Sequence, residues 1–466
     1  MSSISATEPA RASERTSFFD LRGVVEGFYG PPYTCAERDD LIAWMGRRGL
    51  NYYLYGPKND RQHRGRWREP YPAETMAQFG ATVRAAEAAG VSFAYALSPS
   101  VSMVYSSPDE LGLVTAKLGA FYELGVRAFS LFFDDIRPAF RHEADALAYG
   151  SFAEAHADVS NRLHAWLRAL DPACTLSVCP TDYHGAPPFS PYLHELGARL
   201  HPAIDVFYTG REVCAPAIGA EETLAFAAAL RRRPLIWDNY PVNDLAMRGE
   251  LHIGPVRGRD PGLHRAARGV LANPLLQAEA SKIALGTLAD YLADPHGYDP
   301  EGAWLRALDE AAGAASLPAL LRFAECSLHS ALGGDDAPRL ARLAGEALAE
   351  LRAGADPGAS AALATLDAYL GELDEASYHL KNRMGNLALR ANLLPWLELC
   401  DLWCDMGRRA IWTIGAVARG TPEQAPLREL GELLAEARGH HKRYAGQVLV
   451  ELGAYALELA DARRAA

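Results

Sequence analysis

No stretch of 18 uninterrupted apolar residues occurs in the chain, so nothing in it reads as a membrane-spanning helix. The first 18 residues, rich in Ser, Ala, Arg and Glu, lack the apolar core of a secretory signal. They read as a disordered tail, and a cytoplasmic location is the expectation. Excess positive charge is missing too: 58 acidic against 46 basic residues give a formal charge of -12, which argues against nucleic acid and anionic membrane as partners. Cysteine is sparse. The seven are odd in number and lack metal-ligand spacing, which speaks for reduced thiols rather than a disulfide framework or a zinc site. Cys400 and Cys404 share a predicted helical face without further ligands nearby, as core residues do. Internal repeats and low-complexity tracts are also absent. What is present is a chain of 466 residues, 49% apolar, long enough for one barrel-sized unit and a smaller companion.

From about Leu21 to Leu292 short apolar runs alternate with helical patterns, the signature of repeated βα units around a parallel sheet. The spacing predicts eight strands: Gly23–Glu26, Tyr52–Tyr55, Phe93–Leu97, Ala128–Phe133, Leu176–Cys179, Val206–Tyr208, Leu235–Trp237 and Gly269–Leu271. Helices such as Ala36–Arg48 and Pro108–Leu124 fall between them. Eight units over about 270 residues fit an α/β fold of the (β/α)8 TIM-barrel kind better than an open sheet. Beyond Ala293 the strand-like runs vanish. Leu317–Leu332, Pro338–Leu351, Ala361–Leu380, Leu387–Ala416 and Leu427–Leu459 read as helices. The expected organisation is therefore a tail over 1–18, a catalytic barrel over 19–293 and an all-α helical bundle over 294–466.

The predicted strands run directly into polar or aromatic residues at their C-terminal ends, the face where barrels place their chemistry. Asp134 and Asp135 follow the fourth strand, Lys58 the second, Tyr183 the fifth, and Trp237 with Asn239 and Asp244 the seventh. This inventory offers carboxylates for proton transfer, amides and a lysine for hydroxyl groups, and aromatic walls for a sugar ring. Each residue alone has a plainer reading: a helix cap for the aspartates, a solvated loop lysine for Lys58, core for Trp237. A shared face for all of them is what those readings leave unexplained. Adjacent aspartates approach a substrate from one side, whereas the usual glycosidase pair straddles the anomeric carbon at roughly 5 Å or more. Adjacency suits a mechanism in which the substrate supplies the nucleophile, and a 2-acetamido group is the evident candidate.

Five segments, taken in order, are similar to glycoside hydrolase family 84, the O-GlcNAcases and related bacterial β-N-acetylglucosaminidases. They are Arg22–Gly30, Tyr55–Asp60, Phe132–Ile136, Cys179–Tyr183, and Trp237–Asn239 with Asn243–Asp244. The resemblance covers about residues 20–290. It implies a retaining exo-β-N-acetylglucosaminidase that works through an oxazoline and needs no metal or organic cofactor. Asp134 would orient the acetamido N–H and stay ionised. Asp135 would be general acid and then base, with a raised pKa. Gly27 and Lys58 would hold sugar hydroxyls, Tyr183 and Asn239 the acetamido group, and Trp237 would wall its pocket. Asp244 and Asn273 would bind O4 and O6.

The chain departs from the family pattern at Asn59, where an aspartate is common, and at Tyr208, where a tryptophan is frequent. A GlcNAc-bearing glycoprotein or small glycoside is the expected substrate. Two rivals stand beside this reading: an endo-acting hyaluronidase, which needs an open cleft, and a non-catalytic GlcNAc-binding protein, which has no need of both aspartates. The C-terminal helices read as a bundle supporting the barrel, with homodimer formation or cleft building as the alternative.

Overall fold

Apolar runs too short for helices leave strands that must be covered on both faces, and the chain meets this by closing them into a ring. In the computed structural model, which describes residues 17–420, 424–446 and 448–465, eight parallel strands form a closed barrel in sequence order. They are β1 (Leu21–Glu26), β2 (Tyr52–Tyr55), β3 (Ser92–Leu97), β4 (Ala128–Phe132), β5 (Thr175–Cys179), β6 (Asp205–Tyr208), β7 (Leu235–Asp238) and β8 (Gly269–Ala272). β1 closes on β8 in register from Leu21 opposite Gly269 to Val24 opposite Ala272. The tail expected over 1–18 lies almost wholly outside the described residues.

Alternate residues of each strand point to opposite sides, and both sides are apolar. Val25, Leu54, Ala96, Phe132, Phe207 and Leu271 pack together in one cluster. Val24, Tyr53, Tyr95, Leu131, Val206 and Val270 belong to a second cluster that includes residues of the surrounding helices. Those helices carry ordinary start signals; Thr34, for example, caps Cys35–Arg47 in a reciprocal capping box with Glu37. No helix among the described residues is long and apolar enough to cross a membrane. All seven cysteines are free thiols.

The remainder is helical, and two sequence expectations need correction. The helix expected over Leu317–Leu332 stops at Ala324, because backbone groups beyond it turn to other partners. The Cys326 carbonyl accepts the Ala445 N–H at 2.9 Å, and Leu328 N–H donates to the Asp336 carbonyl at 3.3 Å. The helix expected over Leu427–Leu459 is two, Gln424–Gly439 and Val448–Ala465. Ala445 and Gly446, at φ 57° and 67°, turn the chain out of helical geometry between them. There Tyr444 stacks on Phe323 at 5.0 Å and donates to its carbonyl. Pro300–Ala312 is a further helix that the sequence reading did not single out. The helical core is continuous with barrel loops, since Leu251, Ile253, Leu275 and Ile283 are part of it.

Candidate active site

β4 ends by handing its pairing to β5: Phe133 N–H still donates to the Cys179 carbonyl at 2.8 Å, and then the chain turns. Asp135 takes φ 52°, a left-handed conformation that aspartate tolerates better than most residues and that recurs at functional turns. The turn sends the two carboxylates into different surroundings. Asp134 is buried; one oxygen accepts from Lys58 Nζ, and the other, Oδ1, is buried without a hydrogen-bond partner. Lys58 lies 4.9 Å from the Phe132 ring centre and 5.8 Å from that of Trp237, so the ion pair is roofed by aromatic surface. Asp135 stands at the exposed lip. Its Oδ2 accepts from the Tyr29 hydroxyl at 2.6 Å and its Oδ1 from the Tyr183 hydroxyl at 3.0 Å. Arg64 donates to the Tyr29 hydroxyl at 2.8 Å.

These surroundings set the protonation order of the unliganded site. Burial pushes the Asp134 carboxyl upward, against the pull of Lys58, and the neighbouring Asp135 charge adds to the rise. Burial also acts upward on Asp135. There, however, Lys58, the two tyrosine hydroxyls and Arg64 together outweigh it, and Asp135 lies below the usual carboxylate range. This reverses the expectation of a raised Asp135: the hydroxyls that line the lip stabilise its charge, a contact that residue types alone did not disclose. Burial and Asp135 raise both tyrosines, so they remain donors.

The carboxylates open into a cavity of about 480 Å³. Every site residue named from the sequence lines it: Asp134, Asp135, Gly27, Lys58, Tyr183, Trp237, Asn239, Asp244 and Asn273. Gly27 sits against Trp237 so closely that an added Cβ would lie 2.2 Å from the indole, which requires glycine at this position. Asn239 Oδ1 accepts from Trp237 Nε1 at 2.9 Å and from Asn273 Nδ2 at 3.0 Å; Asn273 Oδ1 accepts the Gly27 N–H at 3.2 Å. Asp244 accepts the Tyr29 N–H at 2.6 Å. The strand ends are thereby laced across the mouth.

Of the two departures from the family pattern, neither reaches the cavity lining. Tyr208 is buried against Phe226, ring centres 4.0 Å apart, and donates to the Gly185 carbonyl at 2.9 Å. Asn59 points to solvent, while its neighbour Asp60 is buried and receives the hydroxyls of Tyr55 and Tyr71. Sequence reasoning quoted Tyr29 without giving it a role and passed over Arg64, Cys214 and Leu245–Met247. Burial pushes the Cys214 thiol up to about 11, so it lines the wall as a neutral thiol. These residues lie in loops or, at Leu245–Met247, in a single 3-10 turn, and only the fold brings them to the mouth.

A closed parallel barrel with a carboxylate pair, a buried lysine and aromatic walls at its C-terminal mouth is a barrel of the glycoside-hydrolase type. A family model described as beta-N-acetylglucosaminidase matches residues 22–325. Over 279 residues the chain is 37% identical to the Protein O-GlcNAcase of Rattus norvegicus and equally to that of Mus musculus. The match takes in 58% of this chain and 30% of each of those proteins, so the chain spans less than a third of the curated relatives it matches. Among solved structures it superposes on a Thermobaculum terrenum O-GlcNAc hydrolase mutant with a TM-score of 0.90, at 33% identity over 96% of both chains. It also superposes on CpGH84B with a TM-score of 0.83, at 26% identity over 94% of this chain and 77% of the other. The chain belongs to the beta-N-acetylglucosaminidase family, glycoside hydrolase family 84.

Proposed function

We propose that the chain is a retaining exo-β-N-acetylglucosaminidase that removes terminal β-linked GlcNAc by substrate-assisted catalysis. The observation that carries this reading is the buried, partnerless Asp134 Oδ1 beside an Asp135 that faces the same cavity. An acetamido N–H is a donor of the right kind for that oxygen, and its acceptance leaves the acetamido carbonyl free to attack the anomeric carbon. In that step the acetamido oxygen bonds C1 as the C1–O bond to the leaving group breaks, giving an oxazolinium whose N–H proton Asp134 holds, and the Asp135 proton passes to the leaving oxygen. Asp135 then takes a proton from the water that opens the oxazoline. With the nucleophile in the substrate and the proton on Asp135, the cycle needs no metal or organic cofactor.

Substrate binding would favour the opposite protonation order. An N–H donated to Asp134 stabilises its charged form. A leaving oxygen placed at the lip displaces the tyrosine hydroxyls from Asp135 and covers it from water, which favours its neutral form. Tyr183 and Asn239 would then embrace the acetamido group against Trp237, Gly27 and Lys58 would hold ring hydroxyls, and Asp244 and Asn273 would receive O4 and O6. We place the catalytic unit in 19–293 and assign 294–466 a supporting role. The substrate would be an O-GlcNAc-bearing protein or a small glycoside met in the cytoplasm, where free thiols persist.

Aryl β-GlcNAc, its N-trifluoroacetyl analogue and the corresponding aryl β-glucoside test the mechanism directly. Turnover of the first, slower turnover of the second and none of the third is expected, because weakening or deleting the acetamido oxygen weakens or deletes the nucleophile. Comparable rates on all three would sink the reading. Fragmentation of polymeric hyaluronan would favour an endo-acting enzyme; binding of GlcNAc without turnover would favour a lectin-like role.

A further inference from the structure

The connection from β7 to β8 carries Asp244 and then Leu245, Ala246 and Met247 around the cavity rim. Leu245 has φ 48°, a region that strains a bulky L side chain, and that side chain is 60% exposed. Its own burial does not hold it there. Such a conformation persists only where its flanks are over-determined, so the holds must lie on either side.

On the N-terminal side they belong to the barrel. Asp244 accepts the Tyr29 N–H, and the buried Asn243 accepts the Leu276 N–H at 2.9 Å and donates to Gln277 at 3.0 Å. On the C-terminal side Asn243 reaches the Glu250 carbonyl at 2.9 Å and His252 the carbonyls of Pro241 and Val242, and further holds come from the helical region, through two elements far apart in sequence. The Gly249 carbonyl accepts both Trp396 Nε1 at 2.9 Å and the Arg443 N–H at 2.8 Å. Lys442 Nζ donates to the Arg248 carbonyl at 2.9 Å while lying 4.1 Å from the Trp396 ring centre. The fit leaves no slack: a Cβ on Gly249 would stand 2.6 Å from the His441 carbonyl oxygen.

We propose that Trp396, Lys442 and the Arg443 backbone are positioning residues for the sugar site. By anchoring residues 248–250 they hold the strained turn at Leu245, and so fix Asp244 where it meets the distal hydroxyls of the terminal sugar. None of them touches substrate. The proposal rests on the reading of Asp244 as the ligand of O4 and O6, and its test is chosen to separate the two.

The full chain is compared with Trp396→Phe, which keeps an aromatic ring but removes the N–H, and with Lys442→Met. KM and kcat are measured on aryl β-GlcNAc and its 4-deoxy and 6-deoxy forms, and amide hydrogen exchange is followed across residues 242–250. Each variant is expected to raise KM for the parent by about three- to tenfold, the range for one lost hydrogen bond, with kcat nearly kept. The penalty for deleting a hydroxyl should shrink in step, and exchange across the turn should quicken. A structural effect confined to the helices would leave both the deoxy penalty and the exchange at their original values, and that result overturns the proposal. Should Asp244→Ala alone abolish the deoxy penalty while the helical variants keep it, the role of Asp244 stands and the positioning role falls. Should the unaltered enzyme show no deoxy penalty, the role of Asp244 falls, and exchange unchanged in the variants would dispose of the clamp as well.

Discussion

Both ends of the barrel carry satisfied ion pairs, Glu26 with Arg38 and Asp238 with Arg259 among those at the C-terminal end, but among the described residues only the C-terminal mouth leaves one acid open. At the N-terminal end, ionised and polar groups satisfy each other. Asp205 receives Arg268 at 2.5 Å, Arg127 pairs with Asp171 at 2.8 Å, and the Arg232 guanidinium donates to the carbonyls of Gly197, Leu200, His201 and Ile204. At the C-terminal mouth Asp134 keeps a buried oxygen without a partner, and two non-glycine residues with positive φ, Asp135 and Leu245, line the same cavity. Both ends terminate the same eight strands and have the same apolar core between them. The difference is that closed polar networks stabilise a fold, whereas open ones await a ligand.

Substitutions at the two ends should therefore separate activity from stability. The largest effect is expected from Asp135→Asn, which removes the transferable proton: kcat on aryl β-GlcNAc should fall by about 10²–10⁴-fold, with the unfolding midpoint close to that of the parent. Arg232→Ala is the counterpart. It strips donors from a set of inter-element carbonyls and should lower stability by about 2–4 kcal/mol in denaturant titration, while kcat/KM of the folded protein is kept. If Asp135→Asn unfolds the protein, or Arg232→Ala abolishes turnover at a temperature where it is folded, the contrast between the ends is broken.

The barrel was legible in the sequence because its strands are covered on both faces. A run such as Ala128–Phe133 is too short for a buried helix of ordinary length, and the polar residues that follow it mark the mouth. The helical region was less legible at its ends, since amphipathic spacing continues through 325–332 and through 440–446. What stops those helices is long-range bonding, Ala445 to Cys326 and Arg443 to Gly249, together with Gly439 and Gly446, which apolar spacing alone passes over. The site residues could be named from strand ends, but the order of protonation could not. That order depends on which hydroxyls reach Asp135, and Tyr29 and Tyr183 arrive from strand ends 1 and 5.

A subtler separation concerns that order. Because Asp135 lies low in the free enzyme and is expected to rise when substrate displaces its tyrosine donors, the two pH profiles should differ. The productive form has Asp135 protonated and Asp134 ionised. In the free enzyme, where Asp135 titrates below Asp134, the acidic limb belongs to Asp135 and the basic limb to Asp134, whereas in the complex the opposite order gives the basic limb to Asp135. The profile of kcat/KM reports the free enzyme and that of kcat the complex. A substitution that shifts Asp135 should thus move the acidic limb of kcat/KM but the basic limb of kcat. Movement of the same limb in both profiles would mean that binding leaves the order unchanged, and the mouth would then be as closed electrostatically as the base.

The smallest effect distinguishes the donors around Asp135. Tyr29 donates to the carboxylate and accepts from Arg64, so Tyr29→Phe deletes the hydroxyl through which Arg64 is joined to the acid. A carboxylate relieved of a donor holds its proton to higher pH, and the acidic limb of kcat/KM, which belongs to Asp135 in the free enzyme, should move upward. The basic limb of kcat should move less, because substrate has already displaced that hydroxyl. At neutral pH the change in kcat/KM should stay within about tenfold, the scale of one hydrogen bond. A downward shift of that acidic limb would show that the hydroxyl works against the carboxylate charge, and would place the control of Asp135 with Lys58, Tyr183, Arg64 and burial.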